Sequence, residues 1–177
     1  MRPNATGDRG AGREAGIETW LRGPVPGVDR SLQPAAHALL QAREDLTRVV
    51  PTLTDAELWK RPGGAAPPGF HVKHAMGSLD RLMTYARGEE LSPEQRAAYE
   101  REREPGEAAS ALLTLAQQTI DAALEVVKKT GPEELFEARA IGRARLPSTV
   151  LGVLVHAGEH TARHVGQLIT TVMVIRG

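Results

Sequence analysis

The chain has 177 residues, enough for one domain with a substantial core, and its 22 lysines and arginines balance 22 aspartates and glutamates. Zero net charge and an aromatic content of 3% remove the field and the stacking platforms that nucleic-acid binding uses, and give no attraction to anionic lipid. The sequence contains no cysteine, which excludes disulfides, thiolate metal sites and a cysteine nucleophile, so any thiol chemistry requires an external thiol.

Residues 1–16 are polar and glycine-rich. They read as a disordered tail without the apolar core of a secretory signal, and the expected location is the cytoplasm. Residues 17–177 read as a single domain. Ile17 to Leu21 predicts a short helical turn that docks through Trp20. A first long helix is expected from Leu32 or Pro34 to Val50, with Ser31 as N-cap, a stripe of Ala36, Leu39, Leu40, Leu46 and Val50, and Pro51 as the stop. Thr54-Asp55-Ala56-Glu57 has the capping-box pattern and opens a short helix to Trp59, whose ring is expected to pack under the following loop.

A second long helix is predicted from Pro67 or Pro68 to Arg87, closed by Gly88, with His74 on its apolar face. Ser92-Pro93-Glu94-Gln95 repeats the cap pattern and opens a short charged helix that ends by Pro105-Gly106. A third long helix covers Glu107 to Lys129, with Leu112, Leu115, Ile120, Leu124 and Val127 inside. Residues 132–147 read as a connection anchored by Phe136, and a fourth long helix runs from Ser148 or Thr149 to Val174. Its most apolar stretch, Val150 to Val155, is halted by His156 and Glu159, well short of the roughly 20 residues that span a bilayer, so no membrane partner is expected. Four long amphipathic segments with no credible strand pair predict an all-α four-helix bundle with short extra helices in the connections. The long connections leave the helix order open.

Three of the six histidines, His156, His160 and His164, stand four residues apart on the fourth long helix. Residues i and i+4 lie about 40° apart round a helix, so two adjacent members can share one ion, while all three drift by roughly 80°. A third ligand must come from elsewhere, and His71 and His74 on the second long helix are the candidates. The competing reading is a polar seam of solvated histidines, and His37 reads as a surface or hydrogen-bonded histidine that could face the cavity. His156-Ala157-Gly158-Glu159-His160 has the H-x-x-E-H form of inverted zinc peptidases, but only 17 residues follow His160 to supply a downstream ligand. Glu159 points about 100° away from His160; it reads as a solvent-facing or salt-bridge residue, with an outer partner or general base as the alternative. Arg143 and Arg145 are candidates for an anionic substrate or are simply solvated. Gly166 reads as a site of close helix approach.

The runs Gly69-Phe70-His71-Val72-Lys73-His74-Ala75-Met76-Gly77 and His160-Thr161-Ala162-Arg163-His164-Val165-Gly166-Gln167 together resemble the DinB/YfiT-like superfamily of metal-dependent enzymes. The resemblance spans about Trp20 to Val174. It implies an up-down-down-up four-helix bundle in which His74 joins the H-x-x-x-H-x-G-Q pair His160 and His164 on a divalent ion, nickel, zinc or similar. His71 and His156 are the alternates. The chain departs from the common form in having Val165, where arginine is frequent. The resemblance further implies a small-molecule substrate and either thiol S-transfer with a low-molecular-weight thiol or hydrolysis. The rival class is a non-catalytic metal-binding or stress-associated bundle, and a homodimer is a possible assembly.

Overall fold

The computed structural model describes residues 16–177; residues 1–15 lie outside the described residues, and with them all but the last position of the expected tail. Four long helices dominate: α1 (Gln33–Val49), α3 (Pro68–Ala86), α5 (Ala109–Lys129) and α6 (Val150–Arg176). The short α2 (Asp55–Trp59) and α4 (Pro93–Glu100) sit in the connections. Both open on complete capping boxes, Thr54 with Glu57 and Ser92 with Gln95, as the sequence pattern requires. The start of α1 differs from expectation. The Asp29 carboxylate, rather than Ser31, accepts a backbone N–H, and caps a 3-10 turn over Arg30–Leu32 that runs into α1. No helix among the described residues is long and apolar enough to cross a membrane.

The helix directions follow from contacts between their ends. Arg176, at the end of α6, bonds Glu57 and the Thr52 carbonyl, just past the end of α1, so α1 and α6 are parallel. Trp59 Nε1 donates to the Glu107 carbonyl at 3.0 Å, which places the start of α5 at the end of α1. Lys73, near the start of α3, pairs with Glu107 at 2.7 Å, so α3 and α5 also start together. The order is up-down-down-up, with α3 antiparallel to α6. Leu39, Leu79, Ile120 and Leu154 are fully buried between the helices.

Several large apolar residues stand elsewhere than their size suggests. Leu115 is 42% exposed and Ala116 takes the inward position, because the stripe of α5 steps from Leu112 to Ala116 to Ile120. Phe136 is 76% exposed, whereas Leu135 is buried and its carbonyl accepts from Leu151 N at 2.9 Å. The connection is also more ordered than expected. Two strands, β1 (Ala138–Ile141) and β2 (Leu146–Thr149), pair antiparallel, with Ala138 opposite Thr149 and Ile141 opposite Leu146. Thr149 then caps α6 by accepting from Gly152 N. Trp20 is 61% exposed in its 3-10 turn, and Thr19 makes the docking contacts, donating from Oγ1 to the His37 carbonyl and from N to Gln41 Oε1.

Gly158 sets the distance between α1 and α6. A Cβ there would stand 3.1 Å from the Ala35 Cα and carbonyl oxygen, and backbone cannot give way as a side chain can. Gly158→Val is expected to lower stability by about 1–3 kcal/mol through overpacking. Urea unfolding should show the loss as a lower midpoint with an unchanged slope, and an unchanged midpoint would mean that the two helices separate freely.

Candidate metal centre

Trp59 fixes the first turn of α3. Its indole lies where a Cβ on Gly69 would stand, its Nε1 is tied to the Glu107 carbonyl just before α5, and Lys73 Nζ sits 5.8 Å over the ring. It therefore packs against that turn more than under the loop before it. This turn carries His71, and the next carries His74. Because α3 and α6 are antiparallel, both meet the histidines of α6: His71 Nδ1 lies 3.2 Å from His164 Nδ1, and the His74 ring centroid lies 5.2 Å from that of His160 and 4.5 Å from that of His164. One ring nitrogen from each of His74, His160 and His164 lies within 4.8 Å of the other two.

The other candidates fall outside that group. His71 is buried and bonds to the His164 ring. His156 is half exposed, 3.2 Å from Glu159 Oε2. Glu159 is shared between His156 and Arg163, and the Arg163 hydrogen bond is the main reason its carboxyl is held below the usual range. His37 lines a separate cleft on the α1 side of α6. Arg143 and Arg145 are exposed in the hairpin connection.

The sequence reading missed Glu102. It is 5% exposed, with Oε2 at 2.8 Å from His74 Nδ1 and Oε1 at 2.5 Å from Arg81 Nη1. A carboxylate only accepts, so His74 carries its proton on Nδ1 and leaves Nε2 as the free donor to a metal. Gly77 makes room, since a Cβ there would collide with the Glu102 carboxylate. One signal was available. His74, Gly77 and Arg81 form an i, i+3, i+7 stripe on one helix, and an inward arginine on such a stripe needs a buried acid.

A model of the DinB superfamily matches residues 38–168, about three quarters of the chain and all of the histidine group. The chain belongs to the DinB superfamily. No curated protein matches it.

The residues of this DinB bundle fit a divalent ion. All three donors are imidazole nitrogens, which suit zinc, nickel and related ions and not the oxygen-seeking calcium or magnesium. His160 Nδ1 is buried with no hydrogen-bond partner, so the protein leaves a donor in the group unsatisfied. Burial first, and then the neighbouring His74, push the His160 and His164 pKa values down to about 4, and burial lowers His71 as well. Neutral rings are the form that binds metal. If His164 is to offer Nε2, its Nδ1–H must donate to His71 Nδ1, which makes His71 for His164 what Glu102 is for His74.

The same shifts set the acid stability of the metal-free protein. An unfolded histidine titrates near 6.5. Between that value and about 4 the unfolded chain binds protons that native His160 and His164 refuse, so their stabilising share is complete above pH 6.5 and is lost as the pH falls through the folded values. Tm should fall from pH 6.5 to 4 more steeply in the metal-free wild type than in a His160→Ala, His164→Ala double variant. Equal slopes would show that the two rings are not held neutral by burial.

Proposed function

We propose that the protein is a divalent-metal-dependent thiol S-transferase that uses an external low-molecular-weight thiol. It rests on a group of three imidazoles, His74, His160 and His164, with no fourth protein ligand among the described residues. Three protein ligands leave a coordination position for an exogenous group, the pattern of catalytic rather than structural sites. A divalent ion bound there supplies Lewis acidity that favours the deprotonated form of a thiol or of water.

The chain's own residues do the positioning. Glu102 and His71 hold the rings of His74 and His164 from behind. Beside them opens a cleft of about 600 Å³ lined by His71, Arg163, Gln167 and Thr170, a place for the electrophile. In the transfer the thiol gives up its proton, its sulfur forms the new bond to carbon, and the leaving group departs with the electron pair. The absence of cysteine from the chain favours an external sulfur over any covalent thiol intermediate on the protein. Hydrolysis is the second reading, because the same open position also accepts water.

An electrophilic test substrate, assayed with metal-loaded and metal-free protein, with and without a panel of small thiols, separates these readings. Turnover is expected only with metal and thiol together. Metal-dependent turnover without thiol would replace the transferase by a hydrolase, and no turnover at all would leave a non-catalytic metal-binding bundle.

A further inference from the structure

Two glycines of α6 behave in opposite ways. Gly158 is packed against α1 backbone, whereas a Cβ on Gly166 would meet nothing within 4 Å. Glycine weakens a helix interior relative to alanine, so a packing role would be expected to justify it there. Gly166 has none, contrary to the close helix approach that its sequence context suggests.

Gly166 instead borders two clefts. One is the 600 Å³ cleft that His71 and Arg163 line beside the histidine group. The other, about 820 Å³, lies between α1, α6 and the 18–24 segment, with Ala38, Ala162, Val165 and Ile169 along its apolar wall and Trp20 at its edge. Trp20 is held over this cleft by donation from its Nε1 to Glu18 at 2.6 Å. The Gly166 crest between the clefts carries no side chain. Polarity divides across it: the smaller cleft is lined by His71, Gln167, Thr170 and Thr171 beside Arg163, which Glu159 partners, while the wall of the larger is mainly apolar and its Asp45 is paired with Arg48.

We propose that the two clefts form one substrate groove crossing α6 at Gly166. It takes an amphiphile whose anionic or acceptor-rich head lies in the smaller cleft and whose uncharged apolar body lies in the larger. Apolar clefts of this size with a few polar groups at one end are the usual form of small-molecule sites. The inference rests on the proposed function only in taking the smaller cleft as the place of the reacting end.

The test uses metal-free protein, so it stands apart from the metal and thiol assay. Straight-chain carboxylates from butanoate to dodecanoate are titrated by calorimetry. For wild type, Kd should fall by about three- to four-fold per methylene once the chain passes the crest. Gly166→Leu, a good helix former on an exposed position, should remove the chain-length gain, while Gly166→Ala retains most of it. Ala162→Phe fills only the larger cleft and should give the same loss as Gly166→Leu, which guards against a folding defect in either variant. A wild-type Kd independent of chain length, or a gain that survives both bulky variants, would overturn the proposal. Neither result would touch the metal centre, and a failure of the thiol assay would not affect this groove.

Discussion

Replacing His160 or His164 with alanine is expected to abolish stoichiometric binding of Zn²⁺ or Ni²⁺. Each residue supplies one of only three nitrogens in the group, so its loss should exceed the roughly 10–100-fold penalty of removing an outer partner. Alanine is the better helix former, and neither ring is needed to fill the apolar core, so helicity should persist. Equilibrium dialysis with elemental analysis gives the stoichiometry, and circular dichroism checks the fold. His74→Ala should behave alike, whereas His71→Ala should weaken binding without abolishing it, because His71 meets the centre through His164. Unchanged affinity in both the His160 and the His164 variants would place the metal elsewhere.

Glu102→Ala is expected to lower metal affinity and stability together. The substitution leaves the Arg81 guanidinium, only 11% exposed, without its buried partner, and breaking such a pair costs about 3–5 kcal/mol. For a chain of this size that corresponds to a fall in Tm of roughly 10 °C or more. The His74 ring loses its acceptor in the same step, and affinity should drop by about 10–100-fold. The two effects can be separated. Glu102→Leu combined with Arg81→Met removes both charges and should recover much of the stability while leaving the metal affinity low. Recovery of both would make Glu102 a purely structural residue.

What was legible in the sequence was local. The capping boxes at Thr54 and Ser92 are complete within four residues, and the long helices carry apolar stripes over four to seven turns, so element type and approximate bounds followed from spacing. The hairpin did not. Its strands are four residues each, part-buried with no inward–outward alternation, and Pro147 stands in one of them, so neither alternation nor propensity marked them. Leu115, Phe136 and Trp20 were placed inward on size, but helix phase and turn direction gave those positions to Ala116, Leu135 and Thr19. At the metal centre, spacing put two nitrogens of α6 together but could not choose between His71 and His74. That choice depends on the stagger of α3 against α6, which is tertiary. Glu102 stands in the charged run Arg101-Glu102-Arg103-Glu104, where nothing local sets it apart from its neighbours. It is buried because the chain past α4 folds back over Gly77, 25 residues away in sequence.

On the reading proposed above, His74, His160 and His164 together bind one divalent ion and leave a position open. Anomalous diffraction at the metal edge from crystals of the zinc- or nickel-loaded protein tests it directly. One peak is expected, with the three ring nitrogens at about 2.0–2.1 Å and a non-protein ligand completing the shell. A peak ligated by His71 or His156 in place of His74, or a shell closed by four protein groups, would overturn that assignment.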